Sequence, residues 1–167
     1  MKKFVLAGTL SLLLLQSLLP STAVANGSNV FHDLKPSYWA TADIMKLVEK
    51  GYMDGYQDKK FKPNQITTRA EAAGVIARTM GISLESDYKM MFTDVSKFHP
   101  YYREIRKLAE LGIIQDGEWF NPAEPLKRAH ISKMIALAYE IEVDQKNKTK
   151  FKDLPKTYWA KDYIESL

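Results

Sequence analysis

The sequence predicts an all-α fold built from repeated helix–loop–helix units and preceded by an export signal. Three observations support this prediction. A Phe-x-Asp-aliphatic phrase recurs at a nearly constant interval, apolar residues spaced three and four apart follow it, and glycine and proline punctuate the segments between. Because one helix pair cannot enclose a core, we expect the units to pack together around a pseudo-symmetric axis.

The N-terminal segment has the features of a secretory signal peptide. Lys2 and Lys3 are followed by an almost unbroken apolar run over residues 4–19, and residues 23–25 (Ala-Val-Ala) supply the small side chains that a signal peptidase needs. A retained membrane anchor is disfavoured, since the run is short for a bilayer span and its far flank is uncharged. We therefore expect residues 1–25 to be removed and no membrane association to remain afterwards.

Composition narrows the classes of function. The 167 residues include no cysteine, which excludes disulfides and cysteine-based metal sites. Loss of Lys2 and Lys3 would lower the formal net charge from +4 to +2, and the charges are interspersed, so nucleic-acid binding is not expected. The chain has three histidines in no metal-ligand pattern, and no nucleophile elbow or paired catalytic carboxylates. We expect no metal, no cofactor and no catalytic site.

The repeated phrase begins at Phe31, Phe92 and Phe151, giving spacings of 61 and 59 residues. It predicts a first repeat over residues 26–90, a second over 91–150 and a third over 151–167, which stops inside its first helix. These are called copies one, two and three below. The phenylalanines are expected to plug the core of each copy.

The first helix of each full copy is predicted from an apolar stripe at i, i+3 and i+4. A glycine at the C-cap position follows each stripe. The stripes and their glycines are Ile44, Leu47, Val48 and Gly51 in copy one, and Ile105, Leu108, Ala109 and Gly112 in copy two.

The second helix of copy one should begin at Thr68, because Thr68 and Glu71 have the spacing of a capping box. In copy two Lys127 and His130 replace them, which predicts a helix start weaker by about 1 kcal/mol. Each helix has an apolar face that is expected to be buried. These faces comprise Ala72, Val75, Ile76 and Met80 in copy one, and Ile131, Met134, Ile135 and Ala138 in copy two.

Taken in order, these elements closely resemble the S-layer homology domain. The resemblance covers residues 31–167 and rests on six short motifs. They are Phe31-His32-Asp33-Leu34, Trp39-Ala40, Ile44 to Gly51, Gly55-Tyr56-Gln57-Asp58, Phe61-Lys62-Pro63 and Thr68-Arg69-Ala70-Glu71.

The resemblance implies a three-copy helical bundle that holds surface proteins on the walls of Gram-positive-type bacteria. The implied ligand is a secondary cell-wall polysaccharide, often ending in a pyruvylated sugar, bound in grooves between copies. A guanidinium can bind the ketal carboxylate, free N–H groups of the first helical turn favour anions, and a Trp face suits a sugar ring. The residues thereby implied are Arg69, Arg128, Trp39, Trp159 and Asp33.

Simpler explanations stay open for some of these residues. Asp33 precedes a helix, so turn formation or capping explains it first, and Trp39 fits a core role as well as a groove role. Copy two has Pro100 where Trp39 and Trp159 stand.

A wall hydrolase is disfavoured, because the sequence lacks a set of catalytic residues. A secreted assembly factor, binding other surface-layer proteins through the incomplete third copy, is the alternative to polysaccharide binding.

Overall fold

The computed structural model describes residues 31–143 and 151–167. Within those ranges it has five α-helices and no β-strand, which confirms the all-α prediction. None of the described helices is long and apolar enough to cross a bilayer. The predicted signal peptide lies outside the described residues. The helices are α1 (Thr41–Glu49), α2 (Arg69–Thr79), α3 (Tyr102–Glu110), α4 (Arg128–Ala138) and α5 (Lys161–Glu165).

Both predicted C-cap glycines end a helix in the left-handed conformation, with φ of +70° at Gly51 and at Gly112. Past α1, the Gly51 N–H donates to Val48 O and the Tyr52 N–H to Leu47 O, each at 2.9 Å. This is the Schellman arrangement, which satisfies the last carbonyl groups of the helix. The same pair of bonds recurs after α3, so both copies turn from the first helix into the loop in the same way.

The two second helices start differently, as the sequence predicts. At α2 the Glu71 N–H donates to Thr68 Oγ1 at 3.2 Å and the Thr68 N–H donates to the Glu71 carboxylate at 2.7 Å, which completes the capping box. At α4 the N-cap residue is Lys127, and no side chain caps the helix. The side chain of His130 is therefore available for other contacts.

Helices pack between copies. The second helix of one copy lies on the first helix of the next, α2 on α3 and α4 on α5, while α2 also contacts α4. Ile105 and Leu108 of α3 are completely buried against the small side chains of α2, such as Ala73. At Gly74 a Cβ atom would lie 2.5 Å from the Tyr101 ring, so α2 needs glycine there.

The predicted buried faces of the second helices are only partly enclosed. Ala72, Ile76 and Met134 are buried. The other predicted positions, namely Val75, Met80, Ile131, Ile135 and Ala138, are half-buried. The face of α4 is more open than that of α2, although Ile131 and Ala138 do pack against the main core.

An aspartate and a phenylalanine of the repeated phrase hold the following loop in each full copy. The Asp94 carboxylate accepts the Phe120 N–H at 2.9 Å and the Asn121 N–H at 2.6 Å. The rings of Phe92 and Phe120 lie 5.3 Å apart, and Phe92 is buried. In copy one Asp33, Phe31, Phe61 and Lys62 repeat these contacts.

The prediction that Phe151 plugs a core is wrong. Its side chain is 57% exposed, whereas Phe31 and Phe92 are 5% and 7% exposed. The physical reason is the absence, among the described residues, of an aromatic loop residue paired with it as Phe61 pairs with Phe31 and Phe120 with Phe92.

Candidate functional site

A groove of about 300 Å³ is built from all three copies. Copy one supplies Arg69 from the first turn of α2, and copy three supplies Trp159 from the turn before α5. Copy two supplies the floor and one wall from its loop and from α4. Those copy-two residues are Ile113, Ile114, Gln115, Phe120, His130, Lys133 and Met134.

Arg69 is fixed in the groove by two contacts with Phe120. Its Nε donates to the Phe120 carbonyl at 2.7 Å, and the guanidinium carbon lies 4.8 Å from the centre of the Phe120 ring. Phe120 is itself 1% exposed, so it is a rigid support. Nη2 of Arg69 has no hydrogen-bond partner in the described part of the chain, and it can donate to a ligand.

His130 is the third support of Arg69, with its Nδ1 3.1 Å from Arg69 Nη1. Arginine has no acceptor, so Nδ1 must accept this bond and the ring proton must lie on Nε2. Burial lowers the pKa of His130, and the charges of Arg69 and Lys127 lower it further. Burial also lowers the pKa of Arg69, which stays protonated at neutral pH. A neutral imidazole thus pairs with a cation.

Trp159 forms an aromatic wall beside this pair. Its ring centre lies 5.4 Å from that of His130 and 5.8 Å from that of Tyr158, and half of the residue is exposed. Lys133 adds a second cation to the groove, with its Nζ 5.9 Å from the Tyr163 ring. The groove therefore offers two positive charges and one flat apolar surface.

The expectation that Arg69 sits among free helical N–H groups is wrong. The Arg69 N–H donates to Glu124 O at 3.0 Å, and the Ala70 N–H donates to Pro122 O at 3.1 Å. Glu71 N–H is occupied by the capping box. The loop of copy two thus covers the start of α2, and the attraction for anions at this point comes from side chains.

The structure separates the other predicted site residues from this groove. Trp39 is 84% exposed and lies outside the groove, while Arg128 lines a different cavity with Asp153. Both carboxylate oxygens of Asp33 accept loop N–H groups, from Phe61 and Lys62, at 2.8 Å. Of the predicted residues, only Arg69 and Trp159 come together.

Sequence reasoning missed three residues of the groove, Phe120, His130 and Lys133. Phe120 occupies the place of Phe61 in the loop of copy two, and that position gives no sign of a contact with an arginine of another copy. His130 did leave a signal, because it replaces Glu71 within an otherwise aligned motif while the neighbouring arginine is retained. A residue released from capping is free to take a new partner, and here that partner is Arg69 of the other copy.

A second groove, of about 260 Å³, occupies the corresponding place one copy earlier. Glu71 stands there in place of His130, and it accepts a hydrogen bond from the Tyr56 hydroxyl at 2.8 Å. Burial and this carboxylate raise the pKa of Tyr56 to about 12. Arg78 in the same groove is paired with Asp54. Because its charges are compensated internally, this groove is the poorer anion site.

No three histidine, aspartate or glutamate side chains of residues 31–143 and 151–167 are grouped as a metal site would require. The groove around Arg69 is thus the candidate site on the basis of its guanidinium and its aromatic wall.

Comparison with known proteins defines the class to which this fold and site belong. The model of the S-layer homology domain matches residues 30–73 and 92–131, half of the chain. The chain belongs to the S-layer homology domain family.

Its relatives include a surface-layer protein, an anchoring protein and an enzyme. It is 31% identical to an S-layer protein of Bacillus thuringiensis subsp. finitimus over 99% of its own length and 20% of the relative's. It is 32% identical to a cellulosome-anchoring protein of Acetivibrio thermocellus over 88% of its length and 34% of the relative's. An amylopullulanase of Thermoanaerobacterium thermosulfurigenes is 31% identical over 66% of the chain and 6% of the relative. The chain spans about a fifth of the S-layer relative.

Proposed function

We propose that this protein attaches non-covalently to the bacterial cell wall from outside the cell by binding an anionic secondary cell-wall polysaccharide. The observation that supports it most is the meeting of Arg69 and Trp159, from copies one and three, in one groove. Family membership and the similarity to S-layer and cellulosome-anchoring proteins support attachment in general.

The groove chemistry suits a sugar that carries a carboxylate, such as a pyruvylated sugar. The Nη2 atom of Arg69 can donate charge-assisted hydrogen bonds to one carboxylate, while Lys133 adds a second positive charge nearby. The half-exposed Trp159 can cover one face of the sugar ring. Nε2–H of His130 supplies a further donor, in the tautomer that Arg69 imposes.

The number of such grooves sets the expected strength of binding. The groove around Tyr56 has no tryptophan in its lining, and its arginine, Arg78, is paired with Asp54. The lining of the cavity beside Arg128 contains no tryptophan either. We therefore expect one effective site within residues 31–143 and 151–167. Without avidity from several sites, wall binding should be weak.

Sedimentation with purified cell walls tests the proposal. The protein should pellet with intact walls and remain in solution when the secondary polysaccharide has been stripped. Equal binding to stripped walls would contradict the polysaccharide assignment.

Arg69→Lys should abolish pelleting, because an ammonium cannot contact Phe120, His130 and a carboxylate together. Arg103→Ala is the matched control that should still pellet, since Arg103 is exposed and its one ion pair among the described residues is with Glu85.

Attachment requires no catalysis, and we propose that the chain has no enzymatic activity. The similarity to an amylopullulanase covers only a small part of that enzyme. Incubation with purified walls should release no soluble sugar or peptide above a buffer control. The absence of enzymatic activity would be contradicted if sugar or peptide were released, if that release persisted as the protein was purified further, and if a variant of the chain lost it.

A further inference from the structure

His130 gives the Arg69 groove a charge that can change near neutral pH, because histidine is the side chain that titrates in that range. The lining that the described residues provide contains the cations Arg69 and Lys133 and no carboxylate. A ligand in the groove therefore meets two positive charges while the ring of His130 is neutral, and three once the ring is protonated.

The surroundings of His130 favour the neutral ring in the protein alone. The charged groups that act on it are Arg69 on α2, Lys127 directly before α4, Lys133 on α4 and Glu124 in the loop of copy two. Copy three adds Trp159, whose side chain has no charge. Burial first, and then the positive charges of Arg69 and Lys127, lower the pKa of His130, and Glu124 opposes them.

The contact with Arg69 determines which ring nitrogen takes up a proton. Nδ1 of His130 accepts from Nη1 of Arg69 at 3.1 Å, so the neutral ring carries its proton on Nε2 and a second proton must go to Nδ1. That proton would face the guanidinium. Arg69 nevertheless keeps its two contacts with Phe120, the bond from Nε at 2.7 Å and the ring contact at 4.8 Å, because neither involves His130. Protonation thus places two cations side by side within the groove.

A bound carboxylate would change this balance. Nη2 of Arg69 and Nε2–H of His130 are the donors available to it, so a carboxylate that accepts from either lies close to the imidazole. An opposite charge at such a distance favours the protonated form of the ring. Coupling between two binding equilibria is reciprocal, so a ligand that favours the protonated ring also binds that ring more tightly. The repulsion between Arg69 and the protonated ring is present with and without the ligand, and the carboxylate offsets it.

We propose that binding of an anionic sugar in this groove takes up a proton from solvent at His130, so that the protein holds its ligand more tightly in mildly acidic surroundings than at neutral pH. This coupling rests on the proposed function, because its ligand is the anionic polysaccharide. The carboxylate of the sugar stays ionised in mild acid, since ordinary carboxyl groups have pKa values of about 4.

Glu71, which occupies the corresponding place in the groove around Tyr56, cannot supply such a coupling. Burial alone would raise the pKa of its carboxyl group, but hydrogen bonds from Thr68 and Tyr56 outweigh this and lower it. The charge of Glu71 is therefore constant over the range in which histidine titrates. Of these two grooves, the one around Arg69 is the one expected to respond to mild acid.

Pelleting with purified cell walls from about pH 7.5 to about pH 5.5 measures the effect, since that range spans the ordinary histidine pKa. After subtraction of binding to stripped walls, the apparent affinity of wild type should rise about fivefold toward the acidic end. In His130→Gln the affinity should not change with pH, because glutamine can accept from Arg69 but takes up no proton. His32→Gln is the matched control, since it removes an exposed histidine outside the groove and should keep the rise.

Proton NMR of the His130 ring measures the coupling directly, with the signal assigned by its loss in His130→Gln. The pKa of His130 should be higher in the presence of polysaccharide released from the walls than in its absence. An equal or lower pKa with polysaccharide, or an equal rise of pelleting in His130→Gln, would overturn the coupling. Pelleting is compared at pH values where the circular dichroism spectrum is unchanged, so that loss of folding does not enter.

The two proposals fail in different ways. Equal pelleting with intact and stripped walls at every pH would overturn the proposed function, and the coupling with it. Polysaccharide-dependent pelleting that stays constant with pH, or that weakens in acid while the protein remains folded, would overturn the coupling alone.

Discussion

Arg69 and His130 lie 61 residues apart in sequence, yet Nη1 of the arginine is 3.1 Å from Nδ1 of the histidine. The contact joins α2 of copy one to α4 of copy two and orients the guanidinium at the edge of the groove. A cation can donate to this imidazole only while the ring is neutral. The candidate site consequently contains a built-in dependence on the protonation of one side chain.

Stability should fall with acid through His130. Burial first, and then the charges of Arg69 and Lys127, lower its pKa in the folded protein, while Glu124 opposes and Lys133 adds to the effect. A depressed folded pKa means that the unfolded chain takes up the proton more readily. The stability that neutral His130 contributes to the folded protein is complete above the ordinary histidine pKa of about 6.5. It is lost as the pH falls through the pKa that His130 has in the folded protein.

Thermal unfolding of wild type and His130→Gln over the range from about pH 7.5 to about pH 5 measures this effect, since that range spans the ordinary histidine pKa. The glutamine amide oxygen can accept from Arg69 at any pH in that range. The variant should therefore lose less stability than wild type on acidification. His32 and His99 are the same in both proteins. If both proteins lose the same stability on acidification, His130 is not the source of the pH dependence.

Binding should depend on the aromatic face of Trp159 and not on exposed tryptophan in general. Trp159→Ala should weaken wall pelleting about tenfold or more, in line with the loss of one well-placed aromatic contact. Trp159→Phe should retain part of the binding. Trp119→Ala, at a residue that is 61% exposed in the loop of copy two, is the control. Loss of pelleting in the Trp119 variant would show that the groove is misassigned.

The two second helices should respond differently to changes at their N-caps. Thr68→Ala breaks the capping box of α2 and should lower the free energy of unfolding by about 1 kcal/mol. Lys127→Ala should change it by less than about 0.5 kcal/mol, because Lys127 makes no capping bond. Lys127→Thr should instead stabilise α4. Urea unfolding of the three variants tests this, and equal losses for Thr68→Ala and Lys127→Ala would contradict it.

Local features of this fold are predictable from sequence because each depends on neighbouring residues. Gly51 and Gly112 end their helices as expected, and Thr68 with Glu71 forms the expected capping box, since both features are fixed within a few residues of chain. The apolar stripe of α3 is buried as predicted.

The groove itself was not predictable to the same degree, because it depends on how copies dock. The spacing of motifs does not say that α2 lies on α3, or that the loop of copy two covers the start of α2. That covering loop is why the N–H groups of Arg69 and Ala70 are not free. It also places Phe120 under the guanidinium, a relationship between residues 51 positions apart.

Asp33 offers a test that separates a structural role from ligand binding. Burial alone would raise the pKa of its carboxyl group, but hydrogen bonds from the Phe61 and Lys62 N–H groups outweigh this and lower it. Its stabilising effect is therefore complete above the ordinary carboxyl pKa and is lost as the pH falls through the folded value. Asp33→Asn should melt at a lower temperature than wild type at neutral pH, and the difference should shrink in acid.

Wall pelleting of the Asp33→Asn variant, measured well below its melting temperature, should equal that of wild type, because both carboxylate oxygens are occupied by the loop rather than directed at the Arg69 groove. Asp43→Asn is the matched control, since the contact of that carboxylate within the described part of the chain is an exposed one, 3.8 Å from Lys46. It should change neither melting nor pelleting. If folded Asp33→Asn no longer pellets, the aspartate contacts the polysaccharide, and a loop-holding role alone is insufficient to explain it.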